Sequence, residues 1–288
     1  MVNWLLDPLA FEFMQRGLLI SVIVGIVCAL VGCYIVLRGM AFLGDALAHS
    51  LLPGLAVGYL VSAGDRGALF WWALGTAVVT SIGIGAISRG VRIKQDTAIG
   101  IVFAGMFALG IALISTVRNY AVDLTHFLFG NVLGVSQSDL WLTLGVGVAV
   151  LLTIFVFYKE FLVLSFDPTL VTVLRLPARA LEILLSILMA VAIVVSLQTV
   201  GVALVVALLV TPAAAASLIT KNLRSMMLFA SLIAAGSGVL GLYASFYLNI
   251  ASGAAIVLTC TLGFLLIWIW KQLVRKPPAR AETSSSFS

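Results

Sequence analysis

The chain has 288 residues, of which 62% are hydrophobic and only 9% are charged. Its mean hydropathy is +1.22, and apolar runs recur along most of it at the length of about 20 residues that a helix needs to span a bilayer. The polar stretches between these runs are too short to form a separate soluble domain. The formal net charge is +5, but the basic residues lie in short loops where they set membrane topology, so we expect no nucleic-acid partner.

The N-terminal residues 1–13 differ from a signal peptide, because they lack a basic start and carry Asp7 and Glu12. Trp4 with its apolar neighbours is typical of a short interfacial segment. We predict that a transmembrane domain follows over residues 14–272. The polar tail, residues 273–288, is predicted to be disordered and cytoplasmic.

The apolar runs predict an all-α integral membrane protein, a polytopic bundle of about nine helices, with eight to ten possible. The predicted spans are 17–37, 46–62, 69–88, 97–117, 139–158, 180–197, 200–219, 225–247 and 252–270. With nine spans and the C-terminus inside, 13 of the 16 basic residues fall on the inner side. This bias predicts an outer N-terminus and a cytoplasmic C-terminus.

Two connections are predicted to hold short helices that do not span. An outer-face helix is expected over about 120–135, in a stretch too polar to cross the membrane and too apolar for a plain loop. A cytoplasmic helix is expected over about 166–177, because Asp167 followed by Pro168 is typical of a helix start. Its apolar side chains, which include Leu170 and Leu174, predict that it packs against a partner.

Both histidines of the chain have an aspartate one helical turn before them. Asp45 and His49 are spaced i, i+4 within the second predicted span, and Asp123 and His126 are spaced i, i+3 in the outer connection, so each pair can share a helix face. Carboxylate oxygen with imidazole nitrogen is a ligand set for Mn²⁺, Fe²⁺ or Zn²⁺. The first pair is either functional or a helix cap with a hydrogen-bonded histidine; for the second pair we favour an ordinary interfacial role.

Pro212 lies well inside the seventh span, where it frees the carbonyl near Leu208. Such a break either lines a transport pathway or is an ordinary kink in a packed helix. The chain has no GxxxxGK[ST], HExxH or GxSxG motif, so we expect no ATP site and no enzymatic activity of its own. An intramembrane hydrolase is disfavoured because Ser50, next to His49, points to another side of the helix.

Five ordered stretches resemble the permease subunits of metal-type ABC importers, the ABC-3 family. They are LRGMAFLGDALAHSLLPGLAVGY (37–59), DTAIGIVFAGMFALGIALIS (96–115), DLTHFLFGNVLGV (123–135), FDPTLVTVLRLP (166–177) and VGVALVVALLVTPAAAA (200–216). The resemblance covers residues 14–270, nearly the whole chain.

The resemblance implies a homodimer in the plasma membrane of a prokaryote, with the metal pathway at its two-fold axis. It implies two further partners: a cytoplasmic ABC ATPase dimer, which alone binds ATP, and an extracytoplasmic metal-binding protein. Asp45 and His49 match family residues thought to line the pathway, with Asp123, His126 and Pro212 as further candidates.

The helix over 166–177 matches the coupling helix of the family, with Asp167, Pro168, Leu170, Leu174 and Arg175 as its ATPase-coupling residues. Thr169 and Arg175 depart from the family pattern, which often has an acidic residue at the first of these positions and a glycine at the second.

No covalently bound cofactor is expected. The transported ion is expected to be Mn²⁺ or Zn²⁺, with Fe²⁺ possible, and the alternative is an ion-coupled secondary metal transporter or a channel.

Overall fold

The computed structural model describes residues 7–62, 66–90, 93–116, 132–166 and 168–274. Twelve α-helices lie in these ranges: α1 (Glu12–Leu37), α2 (Leu43–Ser50), α3 (Leu52–Ser62), α4 (Arg66–Gly90), α5 (Gln95–Ser115), α6 (Gln137–Val156), α7 (Tyr158–Phe166), α8 (Pro168–Val173), α9 (Ala178–Val200), α10 (Val202–Ile219), α11 (Leu223–Leu248) and α12 (Ser252–Val274). Short 3₁₀ turns occur at Pro8–Ala10 and Val132–Gly134. The predicted all-α membrane fold is confirmed.

Eight of these helices, α1, α4, α5, α6, α9, α10, α11 and α12, are long and apolar enough to cross a membrane. The second predicted span, 46–62, is not one helix. It is the consecutive pair α2 and α3, which is interrupted at Leu51. The cause is Pro53, which has no N–H to give to the carbonyl of His49 one turn earlier.

The α2–α3 pair nevertheless carries the chain from one side of the bundle to the other. Glu182, near the start of α9, contacts both Arg38, just after α1, and Arg89, in the last turn of α4. The C-terminal ends of α1 and α4 therefore lie together, and α4 is a continuous helix of 25 residues. The chain must reach the far end of α4 through α2 and α3, so the pair makes a ninth crossing beside the eight continuous ones.

The helix α1 is the centre of the packed bundle. It contacts α11, α10, α6 and α9, and 72% of its most apolar 18-residue stretch is buried, against 17% for α5 and for α12. Its glycines permit this packing: a Cβ at Gly32 would overlap the carbonyl oxygen of Leu209 in α10, and a Cβ at Gly25 would touch the backbone of Ala234 in α11. Close approach through small residues is typical of helices that pack in lipid.

A tight turn ends α1 and starts the crossing that carries the candidate site. Gly39 has a φ of +68°, and hydrogen bonds run from its N–H to the Val36 carbonyl and from the Met40 N–H to the Ile35 carbonyl. This is a Schellman motif, in which glycine supplies the left-handed residue. The turn directs the chain into α2 within five residues, 38–42.

The cytoplasmic helix predicted over 166–177 is shorter in the structure. It is the six-residue helix α8, with Pro168 at its first position, and α7 precedes it in the same connection. Asp167 lies outside the described residues, as do the aspartate and histidine of the outer connection, Asp123 and His126. Of the predicted outer helix over 120–135, the described residues contain only the 3₁₀ turn Val132–Gly134 and the residue that follows it.

Candidate functional site

The candidate site lies on α2, in the first half of the broken crossing. α2 packs against α5, α4, α9 and α10, and these contacts bury most of its side chains. A single stripe stays partly open, formed by Phe42 before the helix and by Asp45 and His49 within it. These positions are spaced i, i+3 and i+7, which places them along one face.

The depth of the pair follows from the length of the crossing. The crossing runs from Leu43 to Ser62. At a rise of about 1.5 Å per residue, His49 lies roughly 5 Å from its midpoint and Asp45 roughly 11 Å from it. His49 is therefore close to the middle of the bundle, and Asp45 is nearer to the end where α1 and α4 finish.

Asp45 and His49 lie close together but are not hydrogen-bonded to each other. His49 Nε2 lies 3.6 Å from Asp45 Oδ1, and the side chains are 32% and 37% exposed. This distance is beyond the range of an ordinary hydrogen bond. The other ring nitrogen of His49, Nδ1, is buried and has no hydrogen-bond partner in the structure. The two donor atoms that face each other, Asp45 Oδ1 and His49 Nε2, are the ones that a bound ion could share.

The alternative role of Asp45 as a helix cap has no support in the geometry. The N-cap residue of α2 is Phe42, and no side chain caps the helix there. Asp45 is the third residue of the helix, where its charge is favourable towards the helix dipole. Its carboxylate is nonetheless left facing His49 rather than bonded to the helix end.

Aromatic rings from α5 fix the orientation of His49. The ring of Phe107 lies 5.8 Å from the imidazole and that of Phe103 lies 6.2 Å from it, both edge to face. Phe42 contacts Phe103 in turn, with ring centroids 5.6 Å apart. These residues were not among the predicted site residues, although the i, i+4 spacing of Phe103 and Phe107 on a predicted span indicates a shared face.

Pro212 is buried inside α10, which stays helical from Val202 to Ile219. Leu209, one turn before it, lies against α2: a Cβ at Gly44 would be 3.0 Å from Leu209 Cδ1. The same residue contacts Gly32 of α1. Leu209, one turn before Pro212, therefore contacts both α1 and the residue beside Asp45.

A second charged cluster lies at the end of the bundle where α1 and α4 finish. Glu182 accepts a hydrogen bond from Arg89 and lies 3.9 Å from Arg38. The Arg38 side chain is only 11% exposed. Burial lowers the pKa of its guanidinium from the ordinary value, and the charge of Glu182 acts in the opposite direction. The arginine stays charged because its ordinary pKa is so high.

Apolar side chains are exposed in the segment that follows α7. Leu170 and Leu174 are 40% and 53% exposed, whereas Val171 between them is buried. Arg175 ends this segment with a φ of +54°, and the Leu176 N–H returns to the Val171 carbonyl. This is the left-handed conformation that usually takes glycine. It explains why the family pattern often has a glycine at the position that Arg175 occupies here.

No group of three or more histidine, cysteine, aspartate or glutamate side chains that could hold a metal ion occurs within the described part of the chain. Among the described residues of one copy, Asp45 and His49 are therefore a pair of candidate ligands without a third of these residue types beside them. Long apolar helices, a broken crossing and a polar pair inside the bundle define a polytopic membrane protein with a candidate ligand pair.

The chain belongs to the ABC 3 transport family, whose model matches residues 10–271. It is 44% identical over 262 residues to a manganese transport system membrane protein of Halalkalibacterium halodurans, covering 91% of this chain and 88% of that one. It is 39% identical over 274 residues to a probable iron transport system membrane protein of Haemophilus influenzae, covering 95% of this chain and 99% of that one.

Among solved structures it is similar to PsaBC from Streptococcus pneumoniae in complex with Fab. The TM-score is 0.80 at 40% sequence identity, and the match covers 93% of this chain and 95% of that chain. The resemblance to metal-type ABC permeases is therefore confirmed, and the chain is a membrane permease component of the ABC transport type.

Proposed function

We propose that this chain is the transmembrane permease subunit of an ATP-binding-cassette importer that moves a divalent transition metal into the cytoplasm. Manganese is the first candidate, with zinc next and iron(II) after it. The observation that carries the proposal is the Asp45–His49 pair, two metal-type ligands inside the bundle whose coordination is unmet. Family membership and the manganese and iron systems named for two relatives support the class of cargo.

The donor separation suits a metal ion between the two side chains. With bonds of about 2.1 Å to each donor, atoms 3.6 Å apart subtend roughly 118° at the ion. Carboxylate oxygen and imidazole nitrogen favour Mn²⁺, Fe²⁺ or Zn²⁺ over soft ions. With the ion on Nε2, the ring proton of His49 would lie on the buried Nδ1.

The importer works as a homodimer in this proposal, because one copy provides only half of a site. The open stripe of α2 holds Asp45 and His49 while its other faces are covered by neighbouring helices. At a two-fold axis, two copies of the stripe would supply two carboxylates and two imidazoles. Asp123 and His126, outside the described residues, remain predicted outer-gate candidates.

ATP is bound by a separate cytoplasmic ABC ATPase dimer, and an extracytoplasmic binding protein delivers the metal on the outer face. The exposed Leu170 and Leu174 of the α8 segment are the proposed ATPase contact, together with Asp167, Pro168 and Arg175. The chain itself carries no ATPase site in this proposal. It lies in the plasma membrane with its N-terminus outside, since Arg38, Arg89 and Lys271 share the end that the basic bias assigns to the cytoplasm.

The test is metal uptake by cells that lack the native permease. Asp45→Asn and His49→Gln are expected to reduce manganese uptake to background, because each removes a ligand, while the complex still assembles and hydrolyses ATP. Asp96→Asn is the matched control, since Asp96 is exposed at the start of α5, and it should keep uptake within about twofold. Normal manganese, zinc and iron(II) uptake in both site variants would contradict the assignment.

A second measurement separates the importer from an ion-coupled carrier. Inactivating the ATP site of the partner ATPase should abolish uptake, and collapsing the proton gradient at constant ATP should leave it unchanged. The reverse result would favour the secondary transporter.

A further inference from the structure

A groove on the end of the bundle that holds the α10–α11 turn is unexplained by metal transport. It has a volume of about 510 Å³. One wall is a face of α7, formed by Tyr158, Leu162 and Phe166 at i, i+4 and i+8. The other wall is formed by the turn between α10 and α11 together with the first residues of α11, and it includes Lys221 and Arg224.

The groove lies at the boundary of the membrane. α10 ends at Ile219 and α11 begins at Leu223, and both are candidate spans, so the turn between them lies at headgroup depth. Just beyond the turn, Leu228 and Phe229 of α11 are 61% and 43% exposed. The surface therefore changes from cationic to apolar within about two helical turns, in the direction that runs into the bilayer.

The charge of the groove is positive and uncompensated by the described residues. Lys221 and Arg224 are both exposed, and no carboxylate lines the groove among the residues described there, which do not include Asp167. Arg224 lies over the ring of Tyr158, with its guanidinium carbon 5.5 Å from the ring centroid. This contact holds the guanidinium in place while leaving its N–H groups free to donate sideways to an anion.

Glu160 does not neutralise these cations from α7. It is two residues from Tyr158 on the same helix, and residues two apart point to different sides. The face that lines the groove contains no acidic position at 158, 162 or 166.

We propose that this groove binds the phosphate headgroup of an anionic phospholipid, with Lys221 and Arg224 holding the phosphate and the exposed Leu228 and Phe229 of α11 contacting the start of the acyl chains. A cationic rim above an exposed apolar wall matches the two ends of such a lipid. Basic pockets between transmembrane helices are known to take anionic headgroups. The site is separate from Asp45 and His49, and it does not depend on the transport proposal.

The experiment measures lipid binding to the full chain purified in a neutral detergent and doped with phosphatidylglycerol or phosphatidylcholine. Native mass spectrometry counts the lipids retained per copy. The variant is Lys221→Gln/Arg224→Gln. The matched control is Lys94→Gln/Arg179→Gln, which removes the same charge from two exposed residues that do not line the groove.

We expect the groove variant to weaken phosphatidylglycerol binding by about tenfold or more and to lose one retained lipid per copy. The control should stay within about twofold, and phosphatidylcholine binding should not change in either protein. Equal loss in both variants would mean diffuse charge attraction, and unchanged binding would mean no site; either result overturns the proposal.

Two further arms identify the source of the anion. Glycerol phosphate, a headgroup without acyl chains, should fail to displace phosphatidylglycerol at millimolar concentration; full displacement would indicate a soluble phosphate ligand and overturn the lipid assignment. If the groove variant keeps its lipid but no longer co-purifies with an ATPase subunit, the groove is a protein-docking surface instead.

Discussion

The two charged clusters of the bundle differ in how far their side chains satisfy one another. At the end of the bundle, Glu182 has both Arg38 and Arg89 as partners, and it joins three helices that are far apart in sequence. Inside the bundle, Asp45 and His49 face each other at 3.6 Å without a hydrogen bond, and a ring nitrogen stays unpaired. Among the residues that the structure describes, one cluster is complete and the other is not.

This difference separates a structural role from a functional one. Charged side chains in a membrane protein must be compensated, and both clusters carry that cost. A complete cluster gains its compensation on folding, so it should contribute to stability in every state. An incomplete cluster gains its compensation only when something else arrives, so its contribution should depend on a ligand.

The largest expected effect is therefore stabilisation of the permease by its cargo. Manganese at about 100 times its dissociation constant should raise the free energy of unfolding by about 2.7 kcal/mol. Asp45→Asn and His49→Gln should each abolish this gain while leaving the metal-free melting temperature nearly unchanged. Thermal unfolding of the purified full chain with and without manganese provides the measurement.

Magnesium at the same concentration is the control ion, because it prefers a shell of oxygen ligands and retains its water. If manganese stabilised Asp45→Asn and His49→Gln as much as the wild-type chain, the Asp45–His49 pair would not be a ligand-dependent cluster.

The sequence predicted the span positions well because the membrane fixes the length of each apolar run. The predicted span 17–37 began too late, since α1 starts at Glu12. The break at Leu51 was missed although Pro53 was its visible signal, because a proline within an apolar run can also be tolerated as a kink.

The candidate pair itself was found from its spacing, since a helix brings i and i+4 together without further information. The Arg38–Glu182–Arg89 cluster could not be found in that way. Arg38, Arg89 and Glu182 each lie at an end of a predicted span, but the packing of α1, α4 and α9 decides which side chains meet. The contacts of Leu209 with Gly32 and Gly44 depend on the same tertiary packing.

The next largest effect is expected in the complete cluster. Glu182→Gln would leave two arginines side by side without their carboxylate, and Arg38 is largely buried. We expect a loss of roughly 2 kcal/mol in the free energy of unfolding, between the values typical of exposed and buried ion pairs. Denaturant or thermal unfolding without metal measures it.

The matched control is Glu12→Gln, which removes the carboxylate of the Glu12–Arg16 pair in the first turns of α1, where Glu12 is 76% exposed. That change should cost under about 1 kcal/mol. A similar small cost for Glu182→Gln would show that the Arg38–Glu182–Arg89 cluster does not stabilise the fold.

The smallest expected effect concerns Arg175, a charge that belongs to neither cluster. Its backbone is held at a φ of +54°, where a side chain costs roughly 1–2 kcal/mol relative to glycine. Arg175→Gly should therefore raise the stability of the isolated chain by about 1 kcal/mol. Asn249→Gly, at a φ of +53°, is the control and should gain less stability, because asparagine tolerates this conformation.

If Arg175→Gly also reduces co-purification of the ATPase, the Arg175 side chain contributes to ATPase binding while it lowers the stability of the permease. A variant that gains no stability would contradict the backbone explanation.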